Sequence, residues 1–375
     1  GGDERIDRLT IRWPSGRRQT FTDLAVDQLY TIAEPDEDAA PPADEPAATP
    51  LYTRSDQLDP LRHVDEAFDD FALQPLLPNK LSQLGPGLAC GDVDGDGDDD
   101  LFVTSFGSME SLFPVPGSHR LYRNEGNHFE DVAASAGVAR TADYPEGYGA
   151  TFGDIDLDGD LDLFVAGWHN NGVDNAFGMR LFLNDGLGYF EDVSEASGIL
   201  ATSTQSFGAA IVDTDGDRWP ELFIAGDFGT TRYFRNNRDG TFTELDPGTG
   251  EAPTLSTDPN WSIGKAHNGM GLAIADIDRN GRPDFVLTAN WPTFHFESPY
   301  DGNGLYLNRG AHRFDSVAPQ LGVANGGWGW GVAAADFDHD TRIDIAMTNG
   351  WPMDDDVTGE QFSDEQAYVF FQHKD

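Results

Sequence analysis

The chain has 375 residues, with 43 glycines, 22 prolines, an apolar share of 38% and a single cysteine. Lys+Arg of 23 against Asp+Glu of 66 leaves a formal charge of −43, which repels phosphate backbones and anionic lipid and argues against nucleic acid as a partner. No run of 18 or more apolar residues exists for membrane insertion, and the lone Cys90 excludes an internal disulfide and a Cys-based zinc site.

Short apolar runs set between glycines and prolines predict an all-β chain of short strands and tight turns, not long helices. An acidic excess of this size opposes folding by self-repulsion unless cations neutralise part of it; outside the repeats, a salt-adapted surface is the alternative. Gly1–Gly2–Asp3–Glu4 lacks the basic and apolar regions of a signal peptide. Because the first residue is not Met and Phe370–Asp375 stops inside a repeat, the chain reads as a fragment of a longer protein.

In chain order, residues 1–34 read as two or three strands, with Pro14–Ser15–Gly16 as a hairpin turn. Residues 35–50 are built almost wholly from Pro, Ala, Asp and Glu, too polar and stiff to bury a core, and form a linker. Residues 51–86 are expected to lead into the next unit, with Phe68 to Leu84 packing on its first sheet. From residue 87 to 375 a unit of about sixty residues recurs. Its marker is a glycine five residues before an aspartate: Gly87–Asp92, Gly149–Asp154, Gly208–Asp213, Gly271–Asp276 and Gly331–Asp336.

Each marker aspartate opens an acidic loop that runs into an apolar strand, such as Leu101–Phe–Val or Leu163–Phe–Val. A third strand follows, ending in Asn before a turn in the first four units (Leu121–Tyr–Arg–Asn, Leu181–Phe–Leu–Asn, Tyr233–Phe–Arg–Asn, Leu305–Tyr–Leu–Asn). A fourth strand opens at Phe129, Phe190, Phe242 or Phe314. Four short strands make one antiparallel sheet that cannot bury both faces alone, so the repeats stack radially as the blades of a β-propeller, with an open β-solenoid as the alternative.

Counted from the first aspartate, side-chain oxygens fall at loop positions 1, 3, 5 and 9 in all five loops. They are Asp92, Asp94, Asp96 and Asp100; Asp154, Asp156, Asp158 and Asp162; Asp213, Asp215, Asp217 and Glu221; Asp276, Asp278, Asn280 and Asp284; and Asp336, Asp338, Asp340 and Asp344. Position 7, which includes Asp98, Asp160 and Arg282, is expected to donate its backbone carbonyl. Ca²⁺ takes six to eight hard oxygen ligands, and alternate residues of a curled loop turn their oxygens to one centre, so about five Ca²⁺ sites are expected; Mg²⁺, with its smaller octahedron, suits them less. An EF-hand shares the opening spacing but requires a bidentate Glu at position 12, where these loops carry Val103, Val165, Ile224, Leu287 and Met347. The third and fifth loops depart from the others, with Arg218 and Thr341 where the rest have Gly.

Gly-x-x-x-x-Asp followed by Asp-x-Asp-x-Asp-Gly-x-x-Asp-Leu resembles the FG-GAP (VCBS) repeat of integrin α-subunit propellers and many secreted bacterial proteins, over roughly residues 80–375. The resemblance implies a propeller, typically seven-bladed, with Ca²⁺ in the loop between the first two strands of a blade; five motifs then imply an incomplete ring. Ile6–Asp–Arg–Leu–Thr–Ile–Arg–Trp–Pro–Ser–Gly–Arg and Gln28–Glu34 resemble the closing part of the ASPIC/UnbV domain, which accompanies FG-GAP arrays in the cartilage acidic protein family. There the domain normally follows the propeller, whereas here it precedes one.

The expected function is non-catalytic binding by a secreted or cell-surface scaffold, with a glycan or an extracellular protein as ligand. Aromatics follow the second strand of every repeat, at Phe106, Trp168, Phe228, Trp291 and Trp351. On the face opposite the acidic loops they would either stack on sugars or wedge between blades. A carbohydrate-active enzyme and a purely structural spacer are the alternatives. The nine histidines lack His-Glu-x-x-His spacing, no Gly-x-Ser-x-Gly elbow occurs, and the carboxylates sit at cation-ligand spacing.

Overall fold

The computed structural model describes residues 5–12, 18–25, 30, 32–33, 87–105, 119–139, 147–167, 179–201, 204–227, 229–245, 269–290, 302–349, 354–355, 360–361 and 367–373. The chain divides into two units, residues 1–56 and 57–375. In the first, β1 (Arg5–Arg12) and β2 (Arg18–Ala25) pair antiparallel from Arg5↔Ala25 to Arg12↔Arg18. That register makes residues 13–17 the connection; Pro14–Ser15–Gly16, the linker 35–50 and the lead-in 51–86 lie outside the described residues. Across the hairpin Thr10 and Thr20 share a hydroxyl hydrogen bond of 3.2 Å, a polar cross-strand pair.

The second unit is a β-propeller built blade by blade. Blade 1 comprises β3 (Leu88–Gly91), β4 (Asp100–Val103), β5 (Arg120–Asn124) and β6 (Phe129–Asp131) in sequential antiparallel order. Blade 2 repeats it with β7 (Ala150–Gly153), β8 (Asp162–Val165), β9 (Arg180–Asn184) and β10 (Phe190–Asp192). Blade 3 has β11 (Ser206–Val212), β12 (Glu221–Gly226), β13 (Arg232–Asn236) and β14 (Phe242–Glu244), and blade 4 has β15 (Leu272–Ala275), β16 (Asp284–Leu287), β17 (Gly304–Gly310) and β18 (Arg313–Ser316). In blade 5 three strands pair among the described residues, β19 (Gly329–Ala335), β20 (Asp344–Asn349) and a terminal strand at Tyr368–Phe370.

First strands of successive blades lie side by side, β3 against β7, β7 against β11, β11 against β15 and β15 against β19, the adjacency of a radial array. This explains the marker glycine of blades 1, 2 and 4, whereas an added Cβ at Gly208 meets nothing within 4 Å among the described residues. A Cβ added at Gly149 would stand 2.3 Å from the Phe207 carbonyl oxygen of the next blade, and one at Gly271 would stand 2.0 Å from that of Trp330. Backbones approach too closely there for any side chain. Thr104 and Thr288 stitch the same seams, donating to the Tyr148 carbonyl at 3.1 Å and to the Trp330 carbonyl at 2.6 Å.

The core lies between blades rather than within them. Along β8, Leu163 and Val165 pack with Phe102, Leu121 and Ala89 of blade 1, while Phe164 and Ala166 join Leu222, Ile224 and Phe234 of blade 3. Period-two alternation thus serves two buried faces, so the strand reads as an uninterrupted apolar run. Between blades 3 and 4 the rings of Phe223 and Phe285 stack at 4.3 Å and 20°.

Short helical turns follow the fourth strands and were not anticipated: α1 (Ala133–Ala136), a 3₁₀ turn (Ile199–Ala201) and α2 (Ala318–Leu321). Left-handed Gly137 and Gly322 end the two helices and turn Val138 and Val323 into the inter-blade core. Gly-Val or Gly-Ile beginning six residues past the fourth strand is their signal in the sequence.

Candidate metal centre

The five acidic loops join first to second strands and share one internal geometry. Positions 4 and 6 are left-handed in every loop: Gly95 and Gly97, Leu157 and Gly159, Gly216 and Arg218, Arg279 and Gly281, His339 and Thr341. These two reversals curl the chain around the position-1 carboxylate, whose Oδ2 accepts the position-6 N–H in all five: from Gly97 to Asp92 at 3.0 Å, Gly159 to Asp154 at 3.2 Å, Arg218 to Asp213 at 2.8 Å, Gly281 to Asp276 at 2.9 Å and Thr341 to Asp336 at 2.8 Å. Position 5 closes an Asx turn by accepting the position-7 N–H, as in Asp98 to Asp96 at 2.9 Å and Arg282 to Asn280 at 2.9 Å. Asp160 donates likewise to Asp158, Trp219 to Asp217 and Arg342 to Asp340. Asp98, Asp160 and Arg282 therefore take part through their backbone.

A β-branched residue at φ 73° is an outlier. Thr341→Gly is expected to stabilise the protein by about 1 kcal/mol, the left-handed penalty less glycine's greater entropy loss. A urea midpoint shifted upward checks it, and Gly159→Ala, where φ is 100°, should shift it downward.

Position 9 opens the second strand and is buried in every loop: Asp100, Asp162, Glu221, Asp284 and Asp344. One of its oxygens accepts the position-2 N–H: Val93 to Asp100 at 2.9 Å, Ile155 to Asp162 at 2.8 Å, Thr214 to Glu221 at 2.9 Å, Ile277 to Asp284 at 2.7 Å and Phe337 to Asp344 at 3.0 Å. In four loops the other accepts the N–H of a residue near the end of the third strand, Asn124, Asn184, Asn308 or Gln372, at 2.7–3.0 Å. Position 9 is thus both a candidate ligand and the bracket between loop and sheet, a second role that spacing did not reveal.

Of the predicted oxygens, those of positions 1, 3 and 9 converge in four loops: Asp154, Asp156 and Asp162; Asp213, Asp215 and Glu221; Asp276, Asp278 and Asp284; Asp336, Asp338 and Asp344. In the first loop Asp92, Asp94 and Asp96 converge, and each group's ligand atoms lie within 4.8 Å of one another. Several position-5 groups instead meet other partners: Asp217 pairs with Arg238 and Asp340 with Arg342, while Asn280 donates to the Asn308 carbonyl at 3.0 Å. Basic side chains also reach position 3, with the Arg309 guanidinium 2.6 Å from Asp278 and the His312 imidazole 3.3 Å from Asp215.

The residues fit a hard divalent cation. Asp94 Oδ1, Asp154 Oδ1 and Asp276 Oδ1 are buried without a hydrogen-bond partner, a costly arrangement unless something else satisfies them. Burial, opposed by the N–H groups of Asn184 and Ile155 and reinforced by Asp156 and Asp158, pushes Asp162 up to about 7. Burial likewise pushes Glu221 up to about 7, opposed by the Thr214 hydroxyl and N–H. Folded values raised above unfolded ones favour the protonated protein, so this stabilisation is complete below about pH 4 and lost as pH rises through 7. In chelator the melting temperature is therefore expected to fall between pH 5 and pH 8. With a saturating divalent cation, which needs ionised carboxylates, it should rise over that interval.

The aromatics predicted after second strands, Phe106, Trp168, Phe228, Trp291 and Trp351, lie outside the described residues. A different set precedes the marker glycines. Phe207 meets Tyr148 at 5.3 Å and 83° and Trp330 at 5.9 Å and 80°, so half-buried rings from blades 2, 3 and 5 gather where first strands begin.

A family model for the FG-GAP-like repeat matches residues 92–165, 154–224, 213–287 and 294–347, more than half of the chain. The chain belongs to the FG-GAP-like repeat family. Each FG-GAP match starts at or between acidic loops and ends in the second strand of the following blade, so the family's unit straddles two blades. The ASPIC and UnbV model matches residues 1–39. Cartilage acidic protein 1 of Homo sapiens is 25% identical over 274 residues, 70% of this chain and 38% of that protein, and its Xenopus tropicalis counterpart is 23% identical over 273 residues, 70% and 39%. The chain thus spans about two fifths of the length of these relatives. Among solved structures, the V. cholerae biofilm matrix protein Bap1 is similar at a TM-score of 0.35 and 13% identity, over 70% of this chain and 34% of that one. No helix among the described residues is long and apolar enough to cross a membrane.

Proposed function

We propose that this FG-GAP propeller is a non-catalytic scaffold outside the cell that holds Ca²⁺ in each of its five acidic loops and presents its opposite face to a glycan or protein ligand. The observation that carries the calcium reading is the convergence of three carboxylates in every loop, with buried, unpartnered oxygens on Asp94, Asp154 and Asp276. Positions 1, 3 and 9, or 1, 3 and 5 in the first loop, would ligate the ion through side chains and position 7 through its carbonyl, matching an oxygen-only donor set. Bound calcium would neutralise carboxylates that otherwise repel one another. Non-catalysis is supported by the commitment of the clustered carboxylates to loop closure, each position-1 and position-9 group accepting backbone N–H.

Calorimetric titration of chelator-stripped protein tests the metal assignment. About five Ca²⁺ per chain, with much weaker heats from Mg²⁺, is the expected result; no binding would overturn it. For the ligand, the gathered rings of Tyr148, Phe207 and Trp330 favour a sugar face. A glycan array should show binding that a Tyr148→Ala, Phe207→Ala, Trp330→Ala variant loses, and a silent array would remove glycans from this reading.

A further inference from the structure

In the first four blades the third strand ends in an asparagine whose side chain reaches outside its own blade in three cases. The Asn184 amide donates one hydrogen to the Leu161 carbonyl of its own loop at 3.1 Å and the other to the Val93 carbonyl of the preceding loop at 2.7 Å. Asn236 does the same to Pro220 at 3.2 Å and Ile155 at 2.7 Å, and Asn308 to Pro283 at 3.1 Å and Thr214 at 2.8 Å. In blade 5 Gln372 takes the place and donates to the Ile277 carbonyl at 3.1 Å. Val93, Ile155, Thr214 and Ile277 all occupy position 2 of the preceding loop, the residue whose N–H holds that loop's position-9 carboxylate.

A path links neighbouring loops in three of the four steps, and in the step from Asp162 to Glu221 Asn236 bridges the Ile155 and Pro220 carbonyls. From Asp100 the path runs through the Val93 peptide to the Asn184 amide, and from the Asn184 N–H to Asp162. The same path joins Glu221 to Asp284 through Thr214 and Asn308, and Asp284 to Asp344 through Ile277 and Gln372. Moving a position-9 carboxylate onto a cation shifts the N–H of the position-2 residue, and the C=O of that same residue is anchored to the side chain that orients the next loop. Among the described residues the Asn124 side chain, in blade 1, bonds only within its own blade, donating to the Asp99 carbonyl at 3.2 Å and accepting the Gly126 N–H at 3.1 Å.

We infer that Asn184, Asn236, Asn308 and Gln372 are coupling residues that make cation binding in neighbouring loops cooperative around the propeller. This rests on the calcium reading above, and concerns how the sites communicate rather than whether they exist. A shared two-state element biased by both ions gives reciprocal coupling, typically a factor of about five or more in affinity.

Calcium isotherms of the full chain provide the test. The wild type should bind more steeply than independent sites allow. Asn184→Leu should keep the stoichiometry and lose steepness, Asn184→Gln should restore it by returning the donor amide, and Asn124→Leu should leave it unchanged. Hydrogen exchange on Asp94→Asn in calcium supplies a second measurement that does not require Asn184→Leu to fold. The Ile155 and Gly159 amides of loop 2 should lose protection about five-fold or more relative to Ile277 and Gly281 of loop 4. Full stoichiometry with independent sites, or equal exchange changes in loops 2 and 4, would overturn the coupling while leaving calcium binding intact. Absence of any binding would overturn the calcium reading itself.

Discussion

Stripping divalent cations from this protein is expected to lower its melting temperature by about 20 °C or more. A ligand bound only by the folded state stabilises it by about 2.7 kcal/mol when its concentration is a hundred times the dissociation constant. The position-9 bracket, the position-1 curl and the third strand come together only on folding, so the unfolded chain offers no such site. Five loops acting in this way supply about 13 kcal/mol. With a shift of about 2 °C per kcal/mol for a unit of this size, the effect is large. Scanning calorimetry with excess EGTA and with millimolar calcium measures it, and superimposable transitions would remove the premise on which the metal sites and their coupling rest. Repeating the scan in magnesium separates a hard-cation cage of calcium dimensions from general screening of the −43 charge.

Two alanine substitutions in the same loop should behave oppositely once calcium is removed. Asp162 holds the Ile155 and Asn184 N–H groups at 2.8 and 3.0 Å. Asp162→Ala strands both donors, at about 1–3 kcal/mol for each buried group, so it should destabilise the chelated protein by about 2–4 kcal/mol. Asp156 accepts a long 3.3 Å bond from the Asp158 N–H, and burial together with the neighbouring Asp158 carboxylate and the Asp154 charge holds its carboxyl above the ordinary range. Asp156→Ala should therefore be neutral or slightly stabilising in chelator. In calcium it loses a ligand of loop 2 and should cost about 2.7 kcal/mol at a hundred-fold excess over the dissociation constant. Urea unfolding of both variants in both buffers checks the inversion. A loss for Asp156→Ala in chelator as large as that for Asp162→Ala would mean that position 3 is structural and not reserved for a cation.

The loops were legible because their geometry is local. Position 1 accepts the position-6 N–H and position 5 the position-7 N–H, contacts that close within five residues. The marker glycine was legible as a repeat, but its reason, the Phe207 carbonyl of the next blade pressing on Gly149, was not. The helical turns carrying Val138 and Val323 escaped the reading because four-residue helices leave no periodicity. The ring contacts among the described residues that join Tyr148, Phe207 and Trp330 depend on blades meeting at their first strands, which no local spacing encodes; Phe106, Trp168, Phe228, Trp291 and Trp351 lie outside the described residues.

By itself the sequence determined the sixty-residue period, the four-strand blade and the oxygen-lined loops, because short apolar runs and closely spaced carboxylates act within a few bonds of one another. Only the tertiary structure decided that position 9 is a bracket as well as a candidate ligand, and that positions 1, 3 and 9 rather than every oxygen converge in four of the loops. It alone joined Asn184 to Val93, 91 residues away, Asn236 to Ile155, 81 away, and Asn308 to Thr214, 94 away. Those hydrogen bonds exist because blades stack face to face, which brings the end of one third strand against the preceding loop; no local spacing encodes that approach.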